Sequence, residues 1–372
     1  MALGVPAYAW PPVAMHILAV VGCGPLALTL VAHGGLLGAR PRGRWSAVAC
    51  ASKRTPMAPC ASRPCVPGAF LAVCGHVNID VILQVERLPV AGESMPVRDR
   101  RRVWGGTGAN IARQAASLGV PTRLWSRVGA DFPDDWRGAL EADGVDLAFL
   151  DVDVGALTPT CTILTTQDHE QAFCMDQGPM GTMQEHPPDP ALVEGLEGWL
   201  HVATGDPRAY QGIAEAARNA GVPVALDPGQ ELRFQYDGRS FERLLEKADA
   251  FFVNHHELDV ALRLLGYGDP IQILDHTDLV VVTRGKDGAD LYRPRKKTLR
   301  QPAFPVAHAL DPTGAGDALR GGWYAALREG KDVETALRWG QAAAAVAVQH
   351  AGSQERVVKP ADLRERVPEA LV

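Results

Sequence analysis

Asp311-Pro312-Thr313-Gly314-Ala315-Gly316-Asp317 sets two glycines and an alanine between two aspartates, and a small-residue helical run follows at Ala318, Leu319, Gly321 and Gly322. Small residues at the mouth of a helix let backbone N–H groups point at an anion. An aspartate beside such a pocket is placed to take a proton from an attacking hydroxyl. The combination points to phosphoryl transfer onto an alcohol, with Asp317 as the base. An ordinary glycine-rich helix start would use the same residue types.

Four further groups could join this chemistry, each with a plainer reading beside it. Asp80 ends Gly75-His76-Val77-Asn78-Ile79-Asp80. Its carboxylate could accept from two vicinal hydroxyls at once, or it is a solvated strand residue. Gly105-Gly106 with Asn110 allows close backbone approach, or forms a tight strand-to-helix turn. Asn254 and Glu257, three apart on a first helical turn, point toward one spot and suit hydrated Mg²⁺. They also make the Asn version of a capping box. His255 and His256 are adjacent, so they are expected to face different ways and not to share a metal. Thr283-Arg284-Gly285-Lys286-Asp287-Gly288 follows an apolar run and carries two glycines. It reads as a phosphate loop or as a hairpin turn before Ala289–Tyr292. No Gly-x-x-x-x-Gly-Lys-Ser/Thr occurs, which excludes the Walker-type phosphate grip.

The elements that must position these residues alternate. Phe70–Cys74 is a short apolar strand, and Val77 to Val85 alternates apolar and polar as in a sheet with one wet face. A helix is expected after Gly106, with Ile111, Ala115 and Leu118 on one face and Gly119 at its end. Thr122–Val128 reads as a strand, Asp134–Asp143 as a helix, and Thr160–Thr166 with Gln171–Met175 as a hairpin. Trp199–Ala203, Val222–Leu226, Ala250–Val253 and Leu279–Thr283 are apolar strands. Helical patterns at Ala209–Asn219, Phe241–Lys247 and His255–Leu265 lie between them. The alternation implies an α/β fold, a parallel sheet with helices on both faces. Asp227, Asn254 and Thr283 would then gather at the carboxyl ends of strands, where such sheets bind ligands.

Composition sets outer bounds. The 372 residues are 47% hydrophobic and 22% charged, with a net charge of −6, as expected of a globular protein. Residues 1–68 hold six Lys/Arg and no acid, which leaves −12 on the rest. An acidic body argues against a nucleic-acid partner. The seven cysteines include no Cys-x-x-Cys pair. Cys74, Cys161 and Cys174 are read as reduced, in a cytoplasmic protein. Ile17 to Leu37 is long enough to cross a bilayer but is broken by glycines and a proline. A disordered or non-native extension, a signal or membrane segment, a transit peptide, and a start at Met57 all remain open for residues 1–68. The body gives no reason to expect a membrane partner.

Asp-x-Thr-Gly-Ala-Gly-Asp at 311–317 resembles the C-terminal signature of the ribokinase-like (PfkB-type) carbohydrate and nucleoside kinases. Gly105-Gly106-x-x-x-Asn110-x-Ala112 is similar to their N-terminal signature, Asn254-x-x-Glu257 to their metal element, and Val282-Thr283-x-Gly285-x-x-Gly288 to their nucleotide loop. The resemblance covers about residues 70–364. It implies a ribokinase-like fold: a central, mostly parallel sheet flanked by helices, with a small β-sheet lid from about 77–103 and 160–175, in one kinase domain over 69–365. It assigns Gly314, Ala315 and Gly316 to an anion hole and Asp317 to the catalytic base. Asn78, Asp80, Gly105, Gly106 and Asn110 would bind substrate. Asn254, Thr283, Arg284, Gly285 and Gly288 would bind ATP, and Asn254 and Glu257 would meet Mg²⁺ through water. A monovalent cation is a further cofactor the resemblance admits, and a homodimer through the lid is its implied assembly.

His201-Val202-Ala203-Thr204-Gly205-Asp206-Pro207 and Asp227-Pro228-Gly229-Gln230 look like the archaeal-type nucleoside kinases, which phosphorylate a nucleoside 5′-hydroxyl. Leu319-Arg320 departs from the usual pattern after Asp-Ala. Arg320 could meet substrate phosphate or steady a carboxylate. Arg98, Arg100, Arg101 and Arg102 keep a sugar or sugar-phosphate acceptor open. A non-catalytic nucleoside-binding relative is the reading from another class, and the intact Asp317 argues against it.

Overall fold

A computed structural model describes residues 68–168, 170–350 and 352–371. The readings of the N-terminal extension up to residue 67 lie outside the described residues. In chain order the elements are β1 (Leu71–Cys74), β2 (Asn78–Gln84), β3 (Asp99–Gly105), α1 (Thr107–Ser117), β4 (Thr122–Gly129), α2 (Asp134–Ala142), β5 (Val145–Asp153), β6 (Thr160–Thr165) and β7 (Gln171–Asp176). Then come β8 (Trp199–Val202), α3 (Tyr210–Asn219), β9 (Val224–Leu226), α4 (Gly238–Leu245), β10 (Ala250–Asn254), α5 (His255–Leu265), β11 (Leu279–Thr283), β12 (Ala289–Tyr292), β13 (Leu299–Gln301), α6 (Ala315–Arg328), α7 (Val333–Ala347) and α8 (Pro360–Arg366).

Nine strands form the main sheet in the order β13-β12-β11-β10-β9-β8-β1-β4-β5. Strands β5 to β11 in that order pair in parallel, and β12 and β13 add antiparallel. The short apolar runs are buried along their length because both faces are covered. Along β1, Leu71 and Val73 join one core with Ile111 of α1, Trp323 of α6 and Trp339 of α7. Ala72 and Cys74 point the other way, into a core with Ile213 of α3, Phe241 of α4 and Leu258 of α5. This is the period-2 alternation of a strand dividing its side chains between two helical layers. The Ala342–Ala345 run lies in α7, packed in the first core.

A separate four-stranded sheet has the order β3-β2-β6-β7. Here the alternating pattern of Val77 to Val85 becomes a half-exposed strand. Strand β5 has no counterpart among the expected elements. It is the outer strand of the main sheet, and its Asp146, Asp151 and Asp153 mask the apolar period. Arg127 of β4 holds two of these acids, at 2.8 Å from Asp151 and 3.5 Å from Asp153.

β1 lies between β8 and β4, so the chain winds away from it in both directions. That reversal opens a crevice at the carboxyl ends of the strands, the ordinary ligand position in an open α/β sheet. No helix among the described residues is long and apolar enough to cross a membrane.

Candidate active site

Helix α6 begins at this crevice. Its N-cap is Gly314, with φ +76° and no side-chain cap. A Cβ there would lie 2.7 Å from Ser353 Cβ, so both conformation and space require glycine. The Ala315 N–H turns back to Pro312 O at 3.2 Å, and Ala318 N–H makes the first bond to Gly314 O at 2.9 Å. The Gly316 and Asp317 N–H groups of the first turn have no carbonyl behind them in the helix. They are the donors best placed for an anion. Asp311 braces this loop by accepting from Thr313 N (2.8 Å) and Gly352 N (2.9 Å). Burial works to raise its pKa, yet these bonds and the charge of Arg101 hold it below the usual carboxylate range.

Asp317 is half-buried in the first turn of α6. Burial pushes its carboxyl up to about 6, against the hydrogen bond from Asn110 and the charge of Arg320. Asn110 Nδ2 donates to Asp317 Oδ2 at 2.7 Å. The expected hydroxyl-binding asparagine therefore has its amide nitrogen on the base in this structure. Its oxygen is also engaged, by Gln354.

Asp80 of β2 faces the same space. Burial raises its pKa to about 7, a bond from Asn78 opposes this, and the charge of Asp317 adds to it. Asn78 Nδ2 donates to Asp80 Oδ1 at 2.5 Å. A side chain at Gly105 would overlap the Asp80 carboxylate, with an approach of 2.2 Å. Gly106 caps α1 at φ +97°, and its Cβ would lie 2.4 Å from His76 O. Gly106→Ala is therefore expected to destabilise the protein by about 2–3 kcal/mol. Gly138→Ala in α2, where a Cβ meets nothing within 4 Å, is expected to be neutral or stabilising. Urea midpoints of the two variants check this.

Arg320 lies on the next turn of α6, buried rather than open to the crevice. Its Nε and Nη2 donate to Asp227 at 2.8 and 3.1 Å, and its Nη1 donates to Gly316 O at 3.1 Å. Of the two expected roles, its contacts show the steadying of a carboxylate. A phosphate contact would require that pair to break. Asp227 follows β9, and burial raises its pKa while Arg320 and His201 hold it below its usual range.

Asn254 and Thr283 are register partners at the ends of β10 and β11. Asn254 Oδ1 accepts from His256 N and Glu257 N, and Glu257 Oε2 accepts from Asn254 N at 2.8 Å. The capping box is thus formed, and it consumes the Asn254 oxygen. Glu257 retains Oε1, and burial raises its pKa. That donor set fits a hydrated divalent ion through Glu257 alone, with Asn254 as the cap. His255 and His256 do not diverge as expected. Their ring centroids lie 3.9 Å apart with the planes tilted by 39°. Among the described residues, the three-group cluster with metal-ligand spacing is instead Glu242, Glu246 and His276, and it is largely exposed.

The loop with Gly285 and Gly288 joins β11 to antiparallel β12, so it is a hairpin connection as well as a candidate phosphate loop. Arg284 is turned onto buried Asp290 at 2.5 Å, which also holds Arg300 at 2.7 Å. Thr283 and the loop backbone take no part in this ion-pair cluster.

Sequence reading missed a buried network at the crevice. His76 Nδ1 meets Thr204 Oγ1 at 2.9 Å, and its Nε2 meets Gln177 Oε1 at 2.5 Å. Gln177 in turn donates to Glu231 at 3.0 Å. These residues lie beyond the ends of β1, β7, β8 and β9, and no local pattern joins them. Register also divides the basic run. Asp80 pairs with Val103 and Ile82 with Arg101, so Arg101 shares the face of Asp80, and Arg100 and Arg102 take the other face.

The sequence profile of the pfkB family carbohydrate kinases matches residues 69–360. A nucleoside kinase of Methanothermobacter thermautotrophicus is 31% identical over 77% of this chain and 92% of its own length. An ATP-dependent ribose-1-phosphate kinase of Halopiger xanaduensis is 32% identical over 75% of this chain and 92% of its own. The crystal structure of Methanocaldococcus jannaschii nucleoside kinase, an archaeal member of the ribokinase family, superposes with a TM-score of 0.75 at 29% identity, covering 82% of this chain and 99% of that one. A profile match across most of the chain, and relatives above 30% identity along nine-tenths of their own length, agree with the crevice chemistry: this chain belongs to the pfkB family of carbohydrate kinases.

Proposed function

We propose that this chain transfers the γ-phosphate of ATP to a primary hydroxyl, the 5′-hydroxyl of a nucleoside. The observation that carries this reading is Asp317. It is half-buried at an uncapped helix start, is held by Asn110, and lies in the same crevice as a second carboxylate, Asp80. Asp317 takes the hydroxyl proton through its remaining oxygen as the oxygen attacks in line. The Gly316 and Asp317 amides meet the charge that develops on the transferring group. Asp80, beside Gly105 and Gly106, accepts from the ribose diol. Thr283 and the Gly285–Gly288 backbone bind the nucleotide. A hydrated Mg²⁺ near Glu257, when bound, supplies charge neutralisation for the phosphates.

The four-stranded sheet serves as a lid that excludes water during transfer. Phe173 and Met175, both substantially exposed, share the face of Asp80 through their register with Ile163 and Cys161. That apolar face supports a homodimer through the lid. A phosphorylated ribose is the second reading. Arg101 favours it, as the one member of the arginine run on the Asp80 face.

The test is ATP consumption with adenosine, inosine, cytidine, ribose and ribose 1-phosphate, with products identified by mass. Turnover of ribose 1-phosphate and of no nucleoside would overturn the first reading in favour of the second.

The raised carboxyls predict a split pH dependence. Asp317 must be ionised to accept a proton, so kcat is expected to fall about tenfold per pH unit below about pH 6. Asp80 titrates near 7, so the KM for the acceptor is expected to rise as pH drops below that value. Steady-state profiles from pH 5 to 9 check both. A kcat that stays flat to pH 5 would remove Asp317 from the role.

A further inference from the structure

A directional hydrogen-bond chain runs into Asp317 from behind. Trp136 Nε1 donates to Gln354 Oε1 at 2.9 Å. Gln354 Nε2 donates to Asn110 Oδ1 at 2.7 Å, and Asn110 Nδ2 donates to Asp317 Oδ2 at 2.7 Å. Trp136, Gln354 and Asn110 are 0%, 3% and 6% exposed, so water does not compete for the first two of these bonds, and the third ends on half-buried Asp317.

An amide can be turned over with almost no change in shape, so its direction must come from its partners. Both ends of this chain are polar in one sense only. An indole N–H can only donate, and an ionised carboxylate can only accept. Trp136 therefore fixes the Gln354 oxygen toward itself, and Arg113 Nη1 reaches the same oxygen at 3.4 Å. The Gln354 NH₂ must then face Asn110, and the Asn110 NH₂ must face Asp317. The anchor is itself rigid: Trp136 stacks on Trp104 at 5.0 Å and packs against Phe132.

We propose that Gln354, held by the Trp136 N–H, is a positioning residue that keeps the Asn110 amide turned with its N–H toward Asp317. The inference rests on the reading of Asp317 as the base. With Asn110 reversed, a carbonyl oxygen would lie against the carboxylate. That arrangement is tolerated only when Asp317 is protonated and unable to act. Gln354 thus biases the base toward its working form and leaves Oδ1 free for the hydroxyl. The charged groups that also act on Asp317 are Asp80 from β2, Asp227 after β9, Glu257 from α5 and Arg320 from α6. None of them touches Gln354.

The test is the pH profile of kcat at saturating substrates for Gln354→Glu, Gln354→Met and Trp136→Phe. The carboxylate introduced by Gln354→Glu can accept from Trp136 but cannot donate to Asn110, and the thioether of Gln354→Met cannot donate either. Both are expected to move the acid limb up by about one pH unit, a roughly fivefold loss at pH 6 that approaches tenfold at pH 5 and recovers to within about threefold by pH 9. Trp136→Phe keeps the aromatic contact and frees the Gln354 amide, so a smaller shift in the same direction is expected. A uniform loss at all pH values with the limb in place, in both a Gln354 variant and Trp136→Phe, would overturn the proposal. Near-full activity of Asp317→Asn would instead defeat the base reading beneath it.

Discussion

Asp317→Asn is expected to lower kcat by about 10³-fold while leaving both KM values within about threefold. Asparagine keeps the shape of the side chain, and its oxygen still accepts from Asn110. It loses only the capacity to take the hydroxyl proton. Stability should move the other way. The folded carboxyl titrates near 6, above the ordinary unfolded value of 3.8. A group raised in this way contributes stability below its unfolded pKa and loses that contribution as pH rises through the folded one. At pH 8 the charged Asp317 is therefore a cost, and the Asn variant should melt at the same temperature as the parent or higher. Single-turnover rates and thermal unfolding at pH 8 check both halves. More than a tenth of the parental kcat would show that proton transfer to Asp317 contributes little to the rate.

Breaking the Asp227–Arg320 pair is expected to have the largest effect on stability. Both side chains are almost fully buried, and the guanidinium also lies 5.2 Å over the Phe252 ring. Removing one partner leaves a charge in the core. Arg320→Met and Asp227→Asn should each cost about 3–5 kcal/mol. Replacing both, as Arg320→Met with Asp227→Leu, should restore much of the loss, since a buried pair can often be exchanged for apolar packing. Catalysis should separate from stability in the same set. The charge of Arg320 lowers the Asp317 pKa and that of Asp227 raises it, so the acid limb of kcat should move up in Arg320→Met and return toward the parental position in the double variant. Urea unfolding midpoints and pH profiles measure the two effects. A cost below about 1 kcal/mol for both single variants would mean that water or His201 relieves the stranded charge.

Much of the architecture was legible along the chain. Short apolar runs separated by amphipathic helices specify a parallel sheet covered on both faces, and β8 to β11 follow that pattern. The glycine-rich start of α6, with Asp317 in its first turn, was equally legible, because a helix mouth is set by a few consecutive residues. Strand β5 was not. An outer strand with three acids carries a weak period-2 signal, and only the Arg127 ion pairs of its neighbour account for those charges.

The sequence by itself therefore determined the α/β winding, the glycine-rich helix start and the carboxylate at its mouth. All of these are encoded within single elements by period and spacing. Only the tertiary structure decided what each functional side chain touches. It turned Arg320 onto Asp227 and Arg284 onto Asp290, set Asn254 to capping its helix, and gave Arg101 alone of its run the face of Asp80. It also brought Trp136, Gln354, Asn110 and Asp317 from four separate segments into one line of donors. The physical reason is that hydrogen-bond direction and ion pairing depend on which groups share a desolvated space. Folding creates that space between residues far apart in the chain, and no local pattern records it.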